Sequence, residues 1–387
     1  MHSHQCLLAT VFCCVLMFSV AGDLSAHDQS RLAFVRALAL AQAKADALAE
    51  DPEQAGQATG MCNLTIEIED DFSTPMPGLI RLTNLVSGKA LKLKGEIHRA
   101  LNWYAVEQTL TLKVPRTELK IEAIRGLQTE LAIQKIDLTG QATATVKLTL
   151  RGFYDAAARG LIAGNTHLHL TKMTLEEADR YLRVVPAADD LKLVFLSLLR
   201  RIPDERDYIS NLFVKNSFGG GDLKRLSQSG VLFANGEEHR HNFGRGGEGY
   251  GHVMFLDLQK LIRPVSIGPG IMRAGTDGMT LRRGILRARD DDATVIWCHN
   301  NFGLEDIPNW LAGLVHAQNI FDGGNRGGYE ASYYRYLNIG LKVPFSSGTD
   351  WTVFDFSRVY VPVDGELSTK KWLQGLRAGP WSKGSVA

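Results

Sequence analysis

Residues 164–170 have the sequence GNTHLHL, in which two histidines one residue apart follow an apolar run. In a β-strand, residues i and i+2 face the same side. His167 and His169 would therefore present two imidazole nitrogens from one strand end. That geometry suits a metal ion if further ligands come from elsewhere in the chain.

The region after Gly160 alternates short apolar runs with helical stretches. The apolar runs predict buried strands, and they lie at 230–238, 293–300, 317–324 and 341–350. The helical stretches are 175–185 and 307–318, and the second has Asp306 as its predicted N-cap and Pro308 in its first turn. Alternating strands and helices indicate an α/β domain with a mostly parallel sheet.

Several of the predicted strands end in side chains that can bind metals. Besides the histidine pair, these ends carry Glu238, His299 and Asp350. In a (β/α) barrel, functional sites are built at the carboxyl ends of the strands. A further candidate, His252, follows a glycine-rich loop at 244–251, whose sharp return would bring it beside Glu238.

Histidine and carboxylate ligands without cysteine suit zinc, manganese or iron at a hydrolytic centre. Such an ion lowers the pKa of bound water to about 7 and polarises an oxygen of the substrate. Ligands from several strands predict two divalent ions, or up to three.

Each candidate also fits a purely structural role. Glu237 and Glu238 compete for the same position, because neighbouring side chains on a strand face opposite sides, and we favour Glu238. Asp350, in SGTDW, fits a turn as well as a ligand, and each histidine alone fits a hydrogen-bonded core position. Cys298 precedes His299 and should point away from it, so we interpret Cys298 as a core residue rather than a nucleophile.

Basic and imidazole side chains near the strand ends are candidates for binding substrate. His239 and His241 share a face in what we predict to be a polar loop, where they would contact substrate or solvent. Arg240, Arg245 and Arg358 are candidates for holding an anionic substrate.

The part of the chain before Gly160 predicts three segments. Residues 1–21 contain the uncharged apolar run CLLATVFCCVLMFSVA, which predicts a cleaved export signal, with an uncleaved membrane anchor as the alternative. Residues 22–59 predict a helix over 28–50 and a linker. Residues 60–157 alternate polar and apolar side chains between turns, which predicts a β-sandwich and leaves 158–387 for the α/β domain.

The composition is that of a globular protein with a sizeable core, with 45% hydrophobic and 22% charged residues. A formal net charge of +1 provides no basic excess to attract nucleic acid or a membrane surface. Outside the predicted signal, the cysteines are Cys62 and Cys298, which are too few for a disulfide scaffold. The predicted partner is a small-molecule substrate.

Four segments taken in order resemble the CehA/McbA family of metallohydrolases in the PHP superfamily. They are GNTHLHL at 164–170, GEEHRHNFGRGGEGYGHVMFLDL at 236–258, VIWCHN at 295–300 and YYRYLNIGLKVPFSSGTDW at 333–351. The resemblance extends over about residues 60–380, and the β-rich segment resembles the module that often precedes the catalytic domain in this family.

The resemblance implies a β-sandwich followed by a distorted (β/α)7 TIM-like barrel of PHP type that holds zinc or manganese, or iron. It implies metal ligands at His167, His169, Glu238, His252, His299 and Asp350, with Glu238 bridging the metals. Family members often have a histidine where this chain has Thr352, so two ions are expected rather than three. The family's C-terminal segment normally continues beyond the point reached here, which implies an incomplete C-terminus.

We therefore expect an exported hydrolase, periplasmic or extracellular, that uses a metal-activated water on an ester, carbamate, amide or phosphoester. A phosphatase proper would differ only in substrate. The alternative is a non-catalytic surface or carbohydrate-binding protein with a degenerate PHP barrel, which would bind metal weakly or not at all.

Overall fold

The structure is a computed structural model that describes residues 47–202, 208–218, 223–227, 230–241, 250–267, 279–299, 305–322 and 333–379, with positions 41 and 43–45. The predicted export signal, most of the predicted helix at 28–50, and Arg245 lie outside the described residues. In the described part of the chain, no helix is both long enough and apolar enough to cross a membrane.

The N-terminal part contains the helix α1 (Pro52–Thr59) and a series of short strands, and the described positions 41, 43–45, 47 and 48 before it are also helical. The strands are β1 (Met61–Glu69), β2 (Gly78–Asn84), β3 (Ile97–Ala100), β4 (Trp103–Val106), β5 (Thr109–Pro115), β6 (Glu118–Ile124), β7 (Ala132–Asp137) and β8 (Thr143–Thr149). They form a three-stranded sheet in the order β5-β1-β8 and a five-stranded sheet in the order β3-β4-β2-β6-β7.

These two sheets share one hydrophobic core. Strand β1 buries every second side chain, including Leu64 and Ile66, and Leu82 and Ile121 of the other sheet belong to the same buried cluster. Alternation with period two directs one face of a strand inward. The sequence pattern over residues 60–157 therefore corresponds to two sheets packed around a common interior.

The second part begins with a short 3₁₀ helix (Ala157–Arg159) and alternates strands with helices. Its strands are β9 (Leu161–Leu168), β10 (Leu193–Leu198), β11 (Arg201–Ile202), β12 (Leu232–Arg240), β13 (His252–Leu256), β14 (Ser266–Ile267), β15 (Thr294–Trp297), β16 (Ala317–Phe321), β17 (Phe345–Ser347) and β18 (Val359–Pro362). Its helices are α2 (Leu175–Ala188), α3 (Ser210–Val214), α4 (Leu223–Leu226), α5 (Leu281–Asp290), α6 (Asp306–Leu311), α7 (Arg335–Asn338) and α8 (Thr369–Ala378).

The main sheet of this part is nearly closed, with the strand order β17-β16-β15-β13-β12-β10-β9-β18. The segment after β17 returns to β9, where the amide groups of Thr349 and Asp350 donate to the carbonyl oxygen of His167 at 3.0 and 2.8 Å. Only glycine allows this approach, because a Cβ on Gly348 would lie 2.6 Å from the Cβ of His167. The two ends of the sheet therefore meet beside the histidine pair.

Among the described strands the sheet is mixed, with four parallel and three antiparallel neighbour pairs, so the predicted parallel pairing holds for only a narrow majority of them. Strand β13 is antiparallel to β12 and β15, and β18 is antiparallel to β9, whereas the other neighbours are parallel. The connection between β12 and β13, residues 241–251, is too short for the crossover that a parallel neighbour requires. The chain reverses there, so the start of β13 lies at the same edge as the carboxyl ends of β9 and β12.

Two predicted helices differ in how they begin. Helix α2 covers the predicted 175–185 and starts with a capping box, in which Thr174 and Glu177 satisfy each other's amide groups. Helix α6 is shorter than predicted and begins at Asp306, so the prediction of Asp306 as N-cap was wrong. The carboxylate of Asp306 instead accepts from the Tyr336 hydroxyl at 2.7 Å, and Gly313, with φ of 64°, follows the helix end.

A buried ion cluster joins the two parts of the chain. Asp189, at the end of α2, receives two hydrogen bonds from Arg99 of β3, at 2.9 and 3.1 Å, and one from Arg358 at 3.3 Å. Burial raises the pKa of the Asp189 carboxyl, and the two guanidinium groups oppose that shift. Leu79 and Ala105 of the N-terminal sheet pack into the same apolar cluster as α2.

Asp189→Asn should lower the free energy of unfolding by about 3–5 kcal/mol, because it leaves two buried guanidinium groups without a counter-charge. The matched control is Glu67→Gln, which removes a carboxylate that is 42% exposed beside Lys147 and should cost less than about 1 kcal/mol. Urea denaturation followed by circular dichroism measures both changes. Equal effects of the two substitutions would contradict a stabilising role for the buried cluster.

Candidate metal centre

Seven buried side chains meet at one edge of the nearly closed sheet, and none is more than 2% exposed. We call them the strand-end cluster, and they are His167, His169, Glu238, His252, His299, Asp322 and Asp350. Six of them are the ligands predicted from the sequence. They come from the ends of β9, β12, β15, β16 and β17 and from the start of β13, so the sheet alone brings them together.

A first ligand group consists of His167, His169, Glu238 and Asp350, which offer ligand atoms that all lie within 4.8 Å of one another. His169 Nε2 lies 3.1 Å from Glu238 Oε2. His167 Nε2 lies 3.3 Å from Asp350 Oδ1. Two imidazoles and two carboxylates thus converge on one point.

Hydrogen bonds at Nδ1 fix the orientation of the His167 and His169 rings. His169 Nδ1 donates to the carbonyl oxygen of Ser197 at 2.9 Å, and His167 Nδ1 donates to Asp322 Oδ2 at 2.9 Å. The two Nε2 atoms consequently face each other at 3.0 Å. Two nitrogens that each lie about 2.0–2.1 Å from one zinc ion are separated by roughly this distance, so the pair fits a shared metal.

A second ligand group consists of Glu238, His252 and His299. His252 Nδ1 lies 2.9 Å from Glu238 Oε1, and His299 Nε2 lies 3.0 Å from His252 Nδ1. The other oxygen of Glu238, Oε2, belongs to the first group. One carboxylate therefore connects the two groups, which is the arrangement required of a ligand that bridges two ions.

The carboxylates and imidazoles of the cluster shift one another's pKa values. Burial alone would lower the pKa of His167, but nearby carboxylates, Asp322 foremost, raise it to about 9. Burial would raise the pKa of Asp322, yet His167 and His299 hold it at about 2. Burial also opposes ionisation of Glu238, but hydrogen bonds from three surrounding histidines keep its pKa well below the usual value. These two carboxylates are thus ionised at neutral pH in a site closed to solvent.

Backbone strain coincides with two members of the cluster. His299 has φ of 50° and Asp350 has φ of 61°, in the left-handed region that side chains other than glycine seldom adopt. Strain of this kind costs about 1–3 kcal/mol per residue and is concentrated at functional sites. His299 lies two residues after the end of β15, and Asp350 lies three residues after the end of β17.

Strand β12 separates the two competing glutamates. Glu238 faces the histidines of the cluster, whereas Glu237 accepts from His239 Nδ1 and from the amide of Ile262, both at 3.0 Å, on the other face. Arg240 lies two residues beyond Glu238 and faces the same side. Its Nη1 donates to His252 Nε2 at 3.3 Å, which places a guanidinium beside the second ligand group.

His239 and His241 do not lie in a solvated polar loop, which corrects the sequence-based prediction. Strand β12 extends to Arg240, and both imidazoles are buried. His239 packs against Phe255, and a Cβ on Gly284 of α5 would lie 2.5 Å from its Nε2. The His239 ring is therefore part of the packing behind the sheet and does not reach the strand-end cluster.

Arg358 is also placed away from the cluster. Its guanidinium is buried against Asp189 and lies 5.5 Å from the ring centre of Phe356. Because the buried carboxylate already engages this cation, Arg358 contributes to the interface between the two parts of the chain rather than to substrate binding.

Asp322 is the member of the cluster that the sequence reasoning missed. It lies within the run predicted at 317–324 and directly follows β16, which ends at Phe321, so the strand-end rule that selected His299 and Asp350 applies to it equally. Cys298 is buried in the core as predicted, but its Sγ lies within 4.8 Å of ligand atoms of His167 and Asp322 and so does not point fully away from the cluster. Cys62 and Cys298, both described, form no disulfide with each other.

Asp322 also supplies a test of whether the cluster suits a metal ion. Its Oδ1 is buried and has no hydrogen-bond partner among the described residues. A buried carboxylate oxygen without a donor is costly in a metal-free site. The facing Nε2 atoms and the shared Glu238 indicate a donor set suited to divalent cations, and the unpartnered oxygen of Asp322 adds a buried negative charge beside it.

Comparisons with known proteins identify no family for this chain. No family model matches it, and no curated protein matches it. Among solved structures, it is similar to a two-domain protein from Bacteroides vulgatus that contains a predicted PHP-like metal-dependent phosphoesterase. That match has 12% sequence identity and a TM-score of 0.37, and covers 56% of this chain and 63% of the other, less than two thirds of its length.

Proposed function

We propose that this protein is a metal-dependent hydrolase of the PHP type, related to the CehA/McbA enzymes. The observation that carries the proposal is the pair of buried ligand groups that share Glu238. Glu238 would bridge two ions, with His167, His169 and Asp350 completing one site and His252 and His299 contributing to the other. Divalent ions held there would activate water near neutral pH and polarise the scissile bond of an ester, carbamate, amide or phosphoester.

The residues of the chain itself would exclude water and orient the substrate. The cluster is buried beneath the strand ends, and a low local dielectric strengthens every charge interaction within it. Arg240, held beside His252, is the candidate for binding an anionic oxygen of the substrate. A guanidinium at this place supports a substrate with a negative charge, and phosphoesters belong to that class.

The same proposal includes the architecture and the cellular location. The two packed sheets over residues 60–157 would form a β-sandwich module, and the nearly closed sheet within 158–387 would be a distorted (β/α)7 barrel. The apolar run within residues 1–21 supports export to the periplasm or the cell exterior.

Elemental analysis of the purified protein should find about two divalent ions per chain, and histidine and carboxylate ligands suit zinc or manganese. Hydrolysis of p-nitrophenyl phosphate and p-nitrophenyl acetate should be compared before and after chelation. We expect chelation to abolish hydrolysis and added Zn²⁺ or Mn²⁺ to restore it, because the ions supply the activated water. A metal-free protein without activity on either ester would favour the alternative, a non-catalytic surface or carbohydrate-binding protein.

A further inference from the structure

Asp322 lies behind two histidines that belong to different ligand groups. His167 Nδ1 lies 2.9 Å from Asp322 Oδ2, while His167 Nε2 faces the first group. His299 Nδ1 lies 3.5 Å from the same oxygen, while His299 Nε2 faces the second group. One carboxylate oxygen therefore contacts the rear nitrogen of a ligand from each group.

This carboxylate is itself held in place by a buried polar network. Asn319 Nδ2 donates to Asp322 Oδ2 at 2.8 Å, and Asn319 Oδ1 accepts from the Thr166 hydroxyl at 3.2 Å. Thr166 also bonds to the Ser346 hydroxyl at 2.9 Å. The network connects Asp322 to β9, β16 and β17. The sheet therefore fixes the position of the Asp322 carboxylate.

We propose that Asp322 is a positioning residue for both ligand groups, which sets the ring orientation of His167 and His299 so that their Nε2 atoms face the ions. A metal-ligating histidine typically donates its other ring N–H to a carboxylate or carbonyl, which determines its tautomer and raises its basicity. Here a single carboxylate accepts a hydrogen bond from the His167 ring at 2.9 Å and from the backbone amide of His299 at 3.4 Å, with the His299 ring nitrogen 3.5 Å away, and through both residues it links the two groups. This inference rests on the proposed metal centre.

The competing assignment makes Asp322 a metal ligand, together with His167 and Cys298. Their candidate ligand atoms lie within 4.8 Å of one another, and Asp322 Oδ1 has no partner among the described residues. That site would require His167 to bind ions through both ring nitrogens, although its Nδ1 already contacts Asp322 Oδ2. It would also require a thiolate at Cys298, whose sulfur belongs to a cluster with Phe195 and Ile296.

The test compares Asp322→Ala and Asp322→Asn with wild type, using Zn²⁺ and Co²⁺ as probes. The asparagine amide oxygen can replace Oδ2 as acceptor for both His167 and Asn319, whereas alanine removes the contact. We expect Asp322→Ala to weaken metal binding by about 10–100-fold in chelator competition, as for other residues that orient metal ligands. Asp322→Asn should recover most of that affinity, and both variants should still reach the wild-type metal stoichiometry at saturation.

Glu237→Gln is the matched control, because Glu237 is an equally buried carboxylate that contacts His239 at 3.0 Å on the opposite face of β12. It should change neither the affinity nor the visible absorption of bound Co²⁺, whereas Asp322→Ala should change both. Thermal unfolding of the metal-free variants shows whether a substitution lowers the stability of the fold itself, separately from its effect on metal affinity.

Three results would overturn the inference in distinguishable ways. Loss of a full metal equivalent at saturation in both Asp322 variants would make Asp322 a ligand. Wild-type affinity in Asp322→Ala would remove its positioning role. Absence of metal binding by the wild-type protein would instead reject the proposed function, and the inference with it.

Discussion

Replacing His167 and His169 together by alanine is expected to remove metal from the first ligand group and to abolish hydrolysis. The two Nε2 atoms face each other at 3.0 Å, so the double substitution removes both nitrogen ligands from one point. The remaining carboxylates, Glu238 and Asp350, would leave an incomplete donor set for zinc. Elemental analysis of the variant, purified beside the wild type, measures the loss.

The chain contains a natural control for this experiment. His239, on β12, and His241, just after its end, form a second buried H-x-H pair with ring centres 4.8 Å apart. Alanine at both positions removes two imidazoles without removing a member of the strand-end cluster, so metal content should persist in the folded variant. Near-full metal occupancy after substitution of the 167/169 pair would reject the assignment of the centre.

Glu238→Gln is expected to lower metal stoichiometry and to slow hydrolysis by about 10²–10³-fold, the usual cost of losing one transition-state contact. The two oxygens of Glu238 reach different ligand groups, with Oε2 at 3.1 Å from His169 and Oε1 at 2.9 Å from His252. The substitution keeps the size of the side chain but removes the charge that offsets repulsion between two nearby cations. Metal analysis and steady-state kinetics measure the two effects.

Glu237→Gln should affect metal content and rate far less, because Glu237 bonds to His239 and the Ile262 amide on the other face of β12. The two neighbouring glutamates thus differ in little except the direction of the side chain. If Glu237→Gln proved the more damaging change, the side assigned to every residue of β12 would have to be reversed.

Local patterns in the sequence were sufficient for part of this description. Period-two alternation places Glu238 and Arg240 on one side of β12 and Glu237 on the other, because pleating alone determines which way a side chain points. The same rule pairs His167 with His169. Apolar runs that end in histidine or carboxylate residues are likewise visible without any knowledge of the fold, and Asp322 could have been selected by that criterion.

Tertiary structure decided which of these strand ends share a site and which polar residues are structural. The short connection at 241–251 reverses β13, so His252 reaches the cluster from the start of a strand rather than from its end. Arg358 and His239 are residue types that often bind substrates. Long-range packing instead places Arg358 against Asp189 and His239 behind the sheet. The sequence by itself determined the facing of side chains, because that is a property of a few consecutive residues. The contacts between His167, His299 and Asp322 depend on the order of strands in the sheet, which no local pattern specifies.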